Sequence, residues 1–205
     1  AVSSRAMTRY RKAFAKKDAE GFQSYLDSLT KGETKVNAST LYPYDIMEQY
    51  GLRENYGWGR GPSYLSCGDF DTVLEEQWKA LPNYLTKPVN AVVMADVSGS
   101  MSGRPMATSI GLATYFAQHN TGAYRNMYLT FTDDPHFINI PEGASLLECV
   151  KKVASAGVGY STNLEKAFRA VLDLAVGNGI ADKDMPKTIV VISDMEIDKY
   201  MRPGR

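Results

Sequence analysis

The residues of this sequence best placed to do chemistry are Asp96, Ser98 and Ser100, a D-x-S-x-S arrangement that directly follows the apolar run Asn90 to Asp96. Such a run reads as a strand buried on both faces. In an open α/β sheet, ligands bind at the carboxyl ends of the strands, beside the point where strand order reverses. Two further polar positions fall at equivalent heights: Thr162, in the loop Gly157 to Asn163 before a helix, and Asp194, directly after the buried strand Thr188 to Ser193. With those two strands as neighbours, the three loops offer hydroxyl and carboxylate oxygens to one point. An all-oxygen set suits a hard divalent cation, Mg²⁺ or Mn²⁺, held near-octahedrally at roughly 2.0 to 2.1 Å. Without nitrogen or sulfur ligands zinc is disfavoured. At most two carboxylates face the dication and the hydroxyls are neutral, so the site is electron-poor and has room for an external carboxylate. That is binding chemistry, with the metal bridging to an Asp or Glu of a protein partner.

The elements that must position these loops are legible as a pattern. Residues 1 to 30 carry Met7, Tyr10, Phe14, Phe22, Leu26 and Leu29 at helical spacing, which predicts two short helices broken near Gly21. From Lys31 to Pro88 the texture turns to Gly, Pro and aromatics, with one helix expected around Phe70 to Ala80 and the rest a loop-rich wrap against a neighbour. Pro82 and Pro88 close a boundary segment, dividing a helical and loop-rich region (1–87), the end of a larger helical domain, from a second unit (88–205). Beyond it, strands and helices alternate: strands at Asn90 to Asp96, Tyr124 to Thr132, Phe137 to Ile140 and Thr188 to Ser193, and helices at Pro105 to His119, Ser145 to Ala154 and Asn163 to Val176. The fold class is therefore α/β, a doubly wound and mainly parallel sheet with helices on its faces.

Composition narrows the function. Among 205 residues, 23 basic side chains balance 23 acidic ones, which excludes nucleic-acid binding driven by overall positive charge. The basic run Arg5, Arg9, Arg11, Lys12, Lys16 and Lys17, with no acid before Asp18, is the one local asymmetry. It reads as a solvated helix face, with an RNA-backbone contact as the alternative. The aromatics from Tyr56 to Tyr64 read as packing, with base stacking as their alternative. The most apolar stretch, Val89 to Val97, is interrupted by Asn90 and Asp96 and is far short of a membrane span, so no membrane association is expected. The opening AVSSRAMTRYRK has neither a signal core nor an initiating Met and is expected to be an internal or processed start. Cys67 and Cys149 fit no metal spacing and read as free thiols in a reducing, cytoplasmic setting. His119 and His136 have no nucleophile or acid converging on them, and no phosphate-cradling G-x-x-x-x-G-K-[ST] occurs, so neither an enzyme nor a nucleotide cofactor is expected. Thr162-x-x-Glu165 also has the form of a capping box, a structural task for the Thr162 hydroxyl beside the metal.

The three loops DVSGSM, Gly159-Tyr160-Ser161-Thr162-Asn163-Leu164 and ISDME resemble the metal-ion-dependent adhesion site of von Willebrand factor A domains. The resemblance implies that Ser98, Ser100 and Thr162 ligate the metal, with Asp96 and Asp194 acting directly or through water. The longer stretches DVSGSMSGRPM, TFTDDP, CVKKV and ISDMEID, with the upstream KVNASTLYPYDIM and EEQW, are most similar to the domain of unknown function 2828 family. That family is similar in layout to Ro/TROVE RNA-binding proteins, a helical region followed by an A domain. The likeness covers most of residues 30 to 200 and implies a Rossmann-like sheet. Six strands and their helices would need roughly 170 to 200 residues, more than Asn90 to Arg205 supplies, so the last strands are expected to be missing. A surviving 3-2-1-4 strand order keeps the crevice and leaves strand four as a bare edge, to be covered by a longer polypeptide or another element. Glu196 and Asp198, close to Asp194, are candidates for an internal carboxylate that would close the open metal position.

Three functions follow as expectations. The first is a non-enzymatic Mg²⁺-dependent module gripping an acidic side chain of a protein partner. The second is a Ro-like RNA-binding protein using the basic N-terminal helices. The third is a structural component of a larger assembly whose metal loops are vestigial.

Overall fold

The computed structural model describes residues 2–51, 53–55, 64–157, 159 and 161–195. Two helices open the chain, α1 (Ser4–Lys17) and α2 (Ala19–Thr30). The break lies at Asp18 and not at Gly21. The Asp18 carboxylate accepts the Gly21 N–H at 3.0 Å and caps α2, so the chain turns where a side chain can satisfy the first orphan amides. Between Lys31 and Pro88 the described chain carries short elements besides the one helix expected there. It forms α3 (Pro43–Met47), the antiparallel pair β1 (Arg53–Asn55) and β2 (Tyr64–Ser66), and α4 (Thr72–Lys79). Helix α3 has Pro43 in its first turn, and the Asp45 carboxylate reaches back to the Tyr42 N–H at 3.0 Å.

The second half supplies a mixed α/β unit. In chain order it comprises β3 (Ala91–Asp96), α5 (Arg104–His119), β4 (Met127–Phe131), β5 (Phe137–Asn139), α6 (Leu146–Ala156), α7 (Leu164–Gly177) and β6 (Thr188–Ile192). The four-stranded sheet has the order β5-β4-β3-β6, with β3 parallel to both β4 and β6 and with β5 antiparallel to β4. The strand expected from Tyr124 starts at Met127, because Gly122–Tyr124 winds into a 3-10 turn and Asn126 takes φ 58°.

Strand β3 is buried along its whole length, and its alternating side chains feed two cores. Val93 and Ala95 join a large cluster with Ile110 and Ala113 of α5 and Val150 and Val153 of α6. Ile46, Met47, Tyr50, Leu74 and Trp78 from the N-terminal region belong to this same cluster. Val92 and Met94 face the other way, toward Leu129, Phe131 and, on α7, Ala167 and Val171. Strand β6 forms one edge of the sheet among the described residues, with Ile189 and Val191 exposed. No described helix is long and apolar enough to cross a membrane.

Candidate metal centre

The β3 strand ends at Asp96, and the backbone turns back on the Asp96 side chain. Oδ1 accepts the Ser98 N–H at 2.9 Å and the Ser98 hydroxyl at 2.6 Å, the local Asp-to-backbone bonding that makes Asp a turn residue. A 3-10 turn follows at Gly99–Met101, closed by the Met101 N–H on the Ser98 carbonyl. Val97 and Met101 are both buried and pin this loop to the core. The outcome is that the Ser98 and Ser100 hydroxyl oxygens lie 3.1 Å apart.

The second loop reaches this point through glycine. Gly159 forms a parallel bridge with Ser98, and a Cβ on Gly159 would sit 2.4 Å from the Thr132 Cβ, so only glycine allows the approach. Three residues on, Thr162 is buried at 3% exposure and the Asn163 N–H donates to the Thr132 carbonyl at 3.2 Å. Thr132 directly follows β4, whose Phe131 is in register with Asp96, so Thr162 stands at the same end of the sheet. The capping-box role for Thr162 is corrected: α7 is capped by Asn163, whose side-chain oxygen accepts the Lys166 N–H at 2.9 Å. Val158 and Tyr160, also part of this loop, lie outside the described residues.

The third loop contributes a residue that sequence reasoning passed over. Ser193 donates its hydroxyl to Asp96 Oδ2 at 2.6 Å and accepts the Met195 N–H at 2.9 Å. This bond ties the end of β6, and with it the exposed Asp194, to Asp96. The signal was available, since Ser193 is the last residue of a buried-strand pattern immediately before Asp194. Glu196 and Asp198 lie outside the described residues.

Asp96 is fully buried, and the three donors around its carboxylate are all neutral. Among the described residues no Lys, Arg or His pairs with it. A buried carboxylate is costly unless a cation compensates it. The donor set fits a hard cation. Two cis ligands of an octahedral ion at roughly 2.0 to 2.1 Å stand about 2.9 Å apart, close to the 3.1 Å between Ser98 Oγ and Ser100 Oγ. Oδ1 of Asp96 has both acceptor positions filled by Ser98, so this carboxylate chiefly orients that serine. No group of three or more His, Cys, Asp or Glu side chains suited to a metal occurs among the described residues.

The remaining candidates scatter. On α1, Arg5, Arg9, Lys12, Lys16 and Lys17 are exposed, but Arg11 is not part of that face. Its Nε lies 2.5 Å from Asp71 Oδ2, its Nη1 donates to the Thr8 carbonyl and to Gln49 Oε1, and it is 4% exposed. Arg11 thus joins α1 to the N-cap of α4, because Asp71 also accepts the Val73 and Leu74 N–H groups. His119 stacks on Tyr115 at 4.2 Å with Nδ1 2.8 Å from the Tyr115 carbonyl, and His136 Nε2 lies 3.3 Å from the Ala156 carbonyl. Cys149 is buried, and desolvation pushes its thiol up to about 12, which makes it an inert core residue. The aromatics from Tyr56 to Tyr64 lie outside the described residues as side chains.

The second half of the molecule, a mostly parallel-sheet unit with hydroxyl and carboxylate groups at its strand ends, matches the model of a family described as a domain of unknown function (DUF7788) over residues 90–204. The chain belongs to that family. Residues 1–88 match a second model, the domain of unknown function DUF2828. The DUF2828 likeness holds for that first part, whereas DVSGSMSGRPM, TFTDDP, CVKKV and ISDMEID fall inside the DUF7788 match. Among curated proteins the chain is similar to the uncharacterized protein L728 of Acanthamoeba polyphaga mimivirus, 32% identical over 181 residues. That alignment covers 87% of this chain and 29% of the relative, so the chain spans less than a third of that protein's length.

Proposed function

We propose that this chain carries a metal-ion-dependent binding module of the von Willebrand factor A kind, which engages an acidic side chain of a protein partner. The observation that carries the reading is the buried Asp96 carboxylate, without a basic partner among the described residues, holding the Ser98 hydroxyl at 2.6 Å while the Ser100 hydroxyl oxygen lies 3.1 Å from that of Ser98. Ser98 and Ser100 would hold Mg²⁺ or Mn²⁺ directly, with Thr162 and Asp194 from the neighbouring loops. Asp96, braced by Ser193, fixes the orientation of Ser98, whose hydroxyl in turn pairs with that of Ser100. A bound dication supplies a concentrated positive charge that accepts a partner carboxylate. The exposure of Ser100 and Asp194 leaves that side of the crevice open to a partner. The hydroxyl-rich sheet end supports the reading of the metal as a bridge to a partner carboxylate.

The test is a Mn²⁺ titration of the whole chain followed by electron paramagnetic resonance, with Ser100→Ala as comparison. Ser100 is exposed and its removal leaves the core intact. Saturable one-site binding that weakens at least tenfold in the variant is the expected result; equal binding by both, or none by either, refutes the site.

A further inference from the structure

A cavity of about 460 Å³ lies between α1, α2 and the segment Thr34 to Asn37, and shares no residue with the strand-end loops. Its wall is apolar and mostly aromatic, built from Phe14, Phe22, Tyr25 and Val36, all half-buried, with Phe22 and Tyr25 tilted at 6.1 Å between ring centroids. At its lining stand two exposed cations, Lys17 and Lys35, and one carboxylate, Asp18. Neither lysine makes an ion pair among the described residues. The Asp18 carboxylate is engaged at the start of α2, where it accepts the Gly21 N–H. The lining therefore carries a surplus of one positive charge over a greasy cleft of a size that accepts small ligands.

We propose that this cleft is a binding site for a monoanionic amphiphile, an alkyl or aryl carboxylate, with its apolar body against Phe14, Phe22 and Tyr25 and its carboxylate between Lys17 and Lys35. The apolar wall supplies affinity in proportion to area removed from water. The two ammonium groups select the sign of the head group. A cation would meet two like charges, and a neutral head would leave the lysines without a partner. The site is independent of the metal reading, since none of its residues belongs to the strand-end loops.

The experiment is calorimetric titration of the full chain with dodecanoate, dodecanol and dodecyltrimethylammonium, which share a tail and differ in head-group charge. The variants are Lys17→Glu/Lys35→Glu, exposed and free to change without unfolding, and Val36→Trp, which fills the cleft. Circular dichroism checks that both keep their helices. Saturable dodecanoate binding, weakened about tenfold by the charge reversal and abolished by Val36→Trp, is expected. The neutral and cationic probes should bind more weakly. Three outcomes overturn the proposal: no dodecanoate binding below about 1 mM, equal binding of all three probes, or binding unchanged in Val36→Trp. A doubled mass in light scattering that Val36→Trp abolishes would also overturn it, by assigning the cleft to a second copy of the chain.

Discussion

Replacing Asp96 by Asn separates the energetic role of the carboxylate from its role toward a metal. Asp96 accepts three hydrogen bonds, at 2.9, 2.6 and 2.6 Å. An asparagine can turn its oxygen to the Ser98 N–H and hydroxyl and keep both bonds. Its amide N–H₂ then faces Ser193 Oγ, which has two lone pairs and can accept it alongside the Met195 N–H. Only the Ser193 hydroxyl proton must find a new partner, and Ser193 is partly exposed to water. The substitution also removes a buried charge that lacks a cation, which offsets part of any loss. In a chelating buffer the variant should therefore lie within about 1 kcal/mol of wild type. With Mg²⁺ at a hundred times its dissociation constant, wild type should gain about 2.7 kcal/mol. For a chain of this size that corresponds to a rise in Tm of about 5 to 11 °C, and Asp96→Asn should lose most of it, because the amide keeps the Ser98 geometry but sets no negative charge opposite the dication. Differential scanning calorimetry of both proteins, with chelator and with Mg²⁺, reads the four values. Parallel Mg²⁺ shifts in the two proteins, or a flat wild type, would sink the reasoning.

Two further outcomes concern the packing that carries the site. Glu75 is 3% exposed and its carboxylate accepts the Tyr50 hydroxyl at 2.5 Å and the Leu147 and Leu146 N–H groups at 2.9 and 2.7 Å, capping α6 from another element; Glu75→Ala should cost about 3 to 5 kcal/mol in urea denaturation, and a loss near zero would mean that burial of the charge cancels its bonds. Glu148 accepts the Ser145 N–H and hydroxyl, which hold its carboxyl below the usual value of 4.5. Its folded pKa is depressed, so its contribution is complete above that value and is lost as pH falls through the lower folded one. The stability difference between wild type and Glu148→Gln should accordingly shrink as the pH falls from neutrality through the depressed folded value, and a difference constant with pH would contradict the assignment.

The second half of the fold was legible because its signals are strong and local. An apolar run such as Val92 to Ala95 has few fates other than a central strand, and the order β5-β4-β3-β6 is the 3-2-1-4 arrangement that the family resemblance implied. The D-x-S-x-S turn was equally readable, since Asp and Ser bond their own backbone within two residues. What was not readable depended on partners distant in sequence. Arg11 sits in a run of cations and shares their periodicity, yet its position on α1 faces Asp71, sixty residues away. Thr162 and Asn163 are both good caps, and the choice of Asn163 is set by how the loop meets Thr132. Helix α3 is only five residues long, too short for an apolar period to show.

The N-terminal region is part of what holds the crevice. Helix α5 starts three residues after Met101, so any displacement of α5 moves the loop that presents Ser98 and Ser100. Its inner side packs on β3, through Ile110 and Ala113 among others. Its other side is held by α3, and the contact is so close that a Cβ on Gly111 would meet the Pro43 carbonyl at 3.2 Å and the Met47 Cβ at 3.3 Å. Trp78 of α4 adds a hydrogen bond to Gln118 near the far end of α5, at 2.9 Å, and Tyr115 donates to the Pro82 carbonyl at 2.9 Å. The helix is thus clamped between the sheet and residues 41 to 82, and close-packed interiors transmit rather than absorb small shifts. This gives a physical reason for the two family segments, 1–88 and 90–204, to occur in one chain: the first supplies outer support for α5, the helix that follows the serine-bearing loop of the second.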